Sequence, residues 1–184
     1  MKRSYINYVL IAALFSIFST ASGQEPTSRL RFRTSLSGAQ EVTVPPGGVT
    51  TDTGGSVRVA FNRQLSRATI RVVVRRGVGI TAAHLHCAIP GVNGAIVVPL
   101  FDNPAGQDVD GELDLGNQAI VENADIDPPQ PPDDAVCGAP LNNIASLAFA
   151  ILSGRIYANV HSTANPAGVV RGQLLPVLVP APSQ

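Results

Sequence analysis

Past its first 23 residues this chain has no apolar run near the ~20 residues that cross a bilayer, no lysine and no strong net charge. The first absence argues for release rather than anchoring. With Lys2 and Arg3 set aside, eleven arginines stand against thirteen acids, a net of −2, which argues against a nucleic-acid binder. Several chemistries lack their residues as well. There is no Gly-x-Ser-x-Gly elbow for a serine hydrolase. The densest acids lie in one loop-like region, which leaves no carboxylate pair across a cleft for glycoside hydrolysis. Asp108, Asp110, Glu112 and Asp114 alternate without the glycine placement of an EF-hand loop, and read as a solvated strand edge. Gly91–Gly94 is too short for a phosphate loop.

What is present begins with a leader. Lys2 and Arg3, the uncharged apolar run Tyr8–Phe18 and the small-residue site Ala21-Ser22-Gly23 read as a secretory signal peptide cleaved before Gln24. No cysteine lies near that site to carry a lipid. The expected plan is a leader over 1–23, one domain over 24–175 and a fraying, proline-bearing tail over 176–184. The product is expected to be secreted or periplasmic, with no membrane span after cleavage.

Charge is segregated along the chain. Residues 29–76 hold nine arginines against Glu41 and Asp52, and residues 77–154 hold ten acids with no lysine or arginine. One reading is two solvated surfaces that partly neutralise each other across the fold. The other is an acidic loop region that attracts cations and an arginine face open to an anionic polymer.

Alternation of apolar and polar residues predicts short strands. Leu30, Phe32, Thr34 and Leu36 alternate with Arg31, Arg33 and Ser35, and Val57, Val59 and Phe61 repeat the pattern. Ala68, Ile70, Val72 and Val74 do so against Arg67, Thr69, Arg71 and Arg75. Further strands are expected over 80–87, 95–101 and 111–115. Ile144, Leu147, Ala148 and Ile151 take helical spacing, with Asn142 or Asn143 as N-cap and Gly154 as the stop. Prolines make 127–134 an irregular loop. The pattern is that of an all-β sandwich or barrel with one short helix.

Cys87 and Cys137 are the two cysteines. In an exported protein an even pair is most simply a disulfide, closing a loop of about 50 residues, worth on the order of 3–4 kcal/mol. The alternative makes one of them a ligand in a mixed sulfur–nitrogen copper site.

The three histidines are the clearest sign of chemistry. His84 and His86 are two apart on an expected strand, so their side chains share a face about 6–7 Å apart. His161 lies in a second strand-like stretch, Ile156–Ser162. Two facing histidines and one remote one can hold Cu or Zn with a fourth position open. Asn93, Asn159 and Asn165 are candidate polar neighbours, and Glu41 or Asp102 a candidate carboxylate. The competing reading has the histidines making structural hydrogen bonds, Asn93-Gly94 and Asn165-Pro166 forming turns, and Arg171 bracing loops through their carbonyls.

Three stretches carry a family resemblance: Leu36–Val42 (LSGAQEV), Ala83–Gly94 (AHLHCAIPGVNG) followed by Ala95–Leu100 (AIVVPL), and Ile156–Gly168 (IYANVHSTANPAG) ending in Arg171–Leu174 (RGQL). In order and spacing over about 30–175 the chain resembles the CHRD domain, a module named after chordin and also found in many bacterial exported proteins. The resemblance implies an immunoglobulin-like or Greek-key β-sandwich in an extracytoplasmic setting, and no particular reaction. Glu41, Asn93, Gly94, Asn159 and Arg171 fall in its motifs. The chain departs from the family's pattern at Cys87, where glycine usually follows the second histidine, and at Val169, where glutamate is usual. The loop holding Cys137 looks like an insertion, so a disulfide between the two cysteines would be particular to this chain. The resulting expectation is an exported binding module for an unspecified protein or surface partner. A metal, if bound, is held by His84, His86 and His161. A small copper-dependent redox enzyme and a structural surface or matrix protein are the alternatives.

Overall fold

The computed structural model describes residues 30–103, 107–116 and 119–177. The expected leader and almost all of the expected tail lie outside them. The chain forms β1 (Arg31–Leu36), β2 (Gly54–Phe61), β3 (Ala68–Cys87), β4 (Ile96–Asp102), β5 (Val109–Asp114) and β6 (Ala119–Val121), then α1 (Asp133–Cys137) and α2 (Ile144–Leu152), then β7 (Ile156–Ser162), β8 (Val170–Gln173) and β9 (Leu175–Pro176). It is mostly β, as expected, in a nearly closed barrel-like sheet.

β3 organises the sheet. The two strands expected over 68–75 and 80–87 are one strand of 20 residues, bent where Arg76 and Gly79 take positive φ values of 51° and 60°. Its first half has β2 on one side and β5 and β6 on the other. Its second half has β7 and β4. β1 extends from β2 and β8 from β7. The circuit closes where Ser37 and Arg171 exchange both backbone bonds, at 3.0 and 3.1 Å. There β8 runs so close to β1 that a Cβ on Gly172 would strike the Ser35 carbonyl and the Thr34 hydroxyl.

The alternating residues point as their period demands. Phe32, Leu36, Val57, Val59, Phe61, Ile70, Val72 and Val74 are buried together, and Ala83, Leu85, Ala158, Val160 and Val170 join them from the second half. The expected helix is α2. Asn143 caps it, accepting from the Ser146 amide at 2.8 Å, and Gly154 follows it with φ 68°. Ile144, Leu147, Ala148 and Ile151 enter the core. α1 is a second, one-turn helix at the end of the proline-rich loop, begun by Asp133 and Asp134 directly after Pro132. No helix among the described residues is long and apolar enough to cross a membrane.

Cys87 and Cys137 form a disulfide, with both residues buried. It fastens α1 to the end of β3 and removes both sulfurs from the pool of metal ligands. The two charged stretches meet along β3. Arg71 bonds Asp114 on β5 through both carboxylate oxygens, at 3.2 and 2.5 Å, and Arg67 meets Glu122 beside β6 at 3.0 Å.

Candidate metal centre

The second half of β3 has one apolar face and one polar face. His84 lies opposite Asn159 and His86 opposite Tyr157, while His161 lies opposite Ala82. Asn159 in turn pairs with Arg171, and Tyr157 with Gln173 on β8. The two-residue period therefore puts His84, His86, Tyr157, Asn159, His161, Arg171 and Gln173 on one face. This face is not solvated. His84, His86, Tyr157, Asn159 and Arg171 are buried and His161 is half-buried.

One ring nitrogen from each histidine lies within 4.8 Å of the other two. One nitrogen of each ring also has a hydrogen-bond partner. His84 Nε2 contacts Asp102 Oδ1 at 2.8 Å, His86 Nδ1 the Gly94 carbonyl at 2.9 Å, and His161 Nδ1 the Pro166 carbonyl at 3.0 Å. Carbonyls and an ionised carboxylate only accept, so each of these nitrogens carries the hydrogen. The lone pairs then reside on His84 Nδ1, His86 Nε2 and His161 Nε2. These three atoms are buried and have no hydrogen-bond partner among the described residues.

The electrostatics favour the neutral form at His86 and His161. Burial pushes His86 down to about 4, with the neighbouring His161, His84 and Arg171 adding to the effect against the Gly94 bond. Burial also lowers His161. Neutral imidazole is the form that ligates, and a ring whose other nitrogen is tied to a carboxylate or carbonyl is the usual supporting arrangement of a histidine ligand.

The remaining predicted residues surround this cluster without touching its free nitrogens. Arg171 donates to the Asn93 side chain at 3.1 Å and to the carbonyls of Val92 and Ile89 at 2.9 and 3.4 Å. Its guanidinium lies 3.4 Å from the Tyr157 ring centroid. Asn93 reaches on to the Val42 carbonyl. The Gly94 amide donates to the Tyr157 hydroxyl at 3.1 Å while its carbonyl holds His86. Asn159 donates to the Ala167 carbonyl. Asn165 lies in the turn after β7, its amide bonded to the Ser162 hydroxyl. Glu41 is buried and bonds none of the three histidines; burial raises it to about 7 against the pull of Arg171 and Asn159. Of the two candidate carboxylates, Asp102 is the one beside a histidine.

Tyr157 was not among the residues singled out by sequence. Its ring stacks on His86, with centroids 5.0 Å apart and planes 13° from parallel. The signal was the alternation Tyr157, Asn159, His161, which places all three on one face.

Fold and cluster together define a disulfide-bearing, barrel-like β domain with a three-histidine constellation in which His84 and His86 are buried and His161 half-buried. The chain belongs to the CHRD domain family, whose model matches residues 32–174. No curated protein and no solved structure was found to match it.

Proposed function

We propose that this chain is an exported metal-binding module that holds a Cu²⁺ or Zn²⁺ ion on His84 Nδ1, His86 Nε2 and His161 Nε2. One observation carries the reading. Three rings close enough to share one ion each have one nitrogen tied to an acceptor and the other buried without a partner. Left alone, three buried acceptors without donors cost free energy. A single cation answers all three, and ligation at about 2.0–2.1 Å draws the nitrogens closer still. All-imidazole ligation suits copper and zinc, and three ligands leave a fourth position open. Bound there, the ion supplies Lewis acidity, or for copper a redox centre. The disulfide supports an oxidising compartment, in keeping with a secreted or periplasmic location.

Elemental analysis of the protein purified from the exported fraction tests this, followed by reloading of the stripped protein. One equivalent of copper or zinc in the wild type, lost in His84→Ala, is expected. A wild type that is metal-free and ignores added Cu²⁺ and Zn²⁺ would overturn the reading.

A further inference from the structure

The outer face of β1, β2 and the first half of β3 carries arginines in register. Arg33 pairs with Arg58, and Arg58 with Arg71. Arg31 and Arg75 lie on the same face, two and four residues further along their strands. Like charges directly opposite on neighbouring strands, about 4.8 Å apart, destabilise a sheet. A surface needing only solubility would mix the signs. Here one acid, Asp114, engages one member, Arg71. Among the described residues Arg31, Arg33, Arg58 and Arg75 form no ion pair, and all four are exposed. A shallow groove of about 600 Å³ runs across this face, lined by Arg31, Arg33, Arg58 and Arg71.

We propose that this arginine row is a docking surface for an anionic polysaccharide, one bearing sulfate or carboxylate groups. The chemistry favours that occupant. A guanidinium forks onto both oxygens of a sulfate or carboxylate, which an ammonium does not. The positions between and beside the arginines hold Ser35, Ser56, Ala60 and Thr69, with Val73 buried between Arg71 and Arg75, and none of these stands above the guanidinium groups. That makes a low floor for a polymer, and the exposed apolar side chains Leu175, opposite Arg33, and Ile120, opposite Thr69, flank it at its two margins without forming the continuous apolar face that inserts into a lipid interface. It also offers no aromatic platform on which nucleobases stack. An oxidising compartment, which the disulfide requires, is where such polysaccharides occur. The face lies on the opposite half of β3 from the histidine cluster, so the two sites are independent.

The test is binding of the full chain at 0.15 M salt to heparin and to polygalacturonate, with uncharged dextran as blank. Parallel arms use anionic phosphatidylglycerol vesicles, duplex DNA and the protein alone for self-association. Binding to at least one acidic polysaccharide is expected, weakening as salt rises. Arg33→Gln/Arg58→Gln should weaken it about tenfold, as expected when two charge-assisted contacts go. Arg63→Gln, in the turn between β2 and β3, removes a charge off this face and should leave affinity within about twofold. Thermal melting should show both variants folded, since the double variant relieves repulsion. The proposal fails if neither polysaccharide binds or if Arg63→Gln loses as much as the double variant. It also fails if vesicles or DNA bind as tightly, or if the row serves only to join two copies of the chain.

Discussion

His84 and Asp102 are joined at 2.8 Å, yet the imidazole is 9% exposed and the carboxylate 59%. A solvent-facing acid thus fixes the tautomer of a buried ring, and the pairing of Ala82 with Asp102 across β3 and β4 puts it in reach. Because Asp102 is exposed, its removal touches the ring and little else. Asp102→Ala should cost metal affinity about 10–100-fold while changing stability by less than about 0.5 kcal/mol. Competition against a chelator and a thermal melt of the metal-free protein measure the two. Unchanged affinity would show that the acid does not orient His84.

Two buried groups pull the metal-free protein's pH dependence in opposite directions. His86, lowered to about 4, contributes stability that is full above about 6.5 and lost as pH falls toward 4. Glu41, raised to about 7, contributes stability that is full below about 4.5 and lost as pH rises through 7. Glu41→Gln keeps the neutral shape and removes only the second dependence. Relative to wild type it should therefore gain stability between pH 5 and pH 8. A difference in melting temperature that is the same at both values would sink this assignment.

How much of this was readable in advance depends on the range of the interaction. The period-two patterns around Phe32, Val59 and Ile70 reported the core face directly, because strand geometry is local. The sharing of a face by His84 and His86 followed from the same rule. Which strand stands beside them did not, since register is set by packing between segments far apart in sequence. Asp102 was therefore one of two candidate acids until β4 was placed. The unity of β3 was hidden for a different reason. Arg75-Arg76-Gly77-Val78-Gly79 breaks the alternation and reads as a terminator, but positive φ at Arg76 and Gly79 bends the strand while pairing continues through Gly77 and Ile80. α1 was obscured by the prolines that precede it.

The disulfide lies next to His86 in sequence but on the other face of the strand, because Cys87 points into the core with Leu85. Its work is to anchor the loop that carries α1. Cys87→Ala/Cys137→Ala should lose about 4 kcal/mol, as for release of a 50-residue loop, seen as a lower midpoint in urea. The β3–β7 pairing that sets the histidines is separate from that loop, so one equivalent of metal should still bind. Loss of metal together with the disulfide would mean that the loop, and not the strand pairing, holds the cluster in place.

Arg171 is 2% exposed and connects the cluster to its cover. β3 and β8 flank β7 on opposite sides, so Tyr157 is held between the His86 ring and the Arg171 guanidinium. The same guanidinium holds Asn93 and the carbonyls of Ile89 and Val92, in the loop whose Gly94 carbonyl fixes His86. Arg171→Met keeps much of the volume and leaves those acceptors without donors, at about 1–3 kcal/mol for each group that stays buried. Glu41 moderates the cost by staying protonated once the positive charge is gone. The expected result is a lower melting temperature, faster amide exchange over 88–95 and weaker metal binding through a loosened His86. Arg171→Lys should rescue none of the three, because an ammonium neither forks across the loop acceptors nor stacks on the phenol. Recovery by lysine would show that charge alone, facing Glu41, is what the position requires.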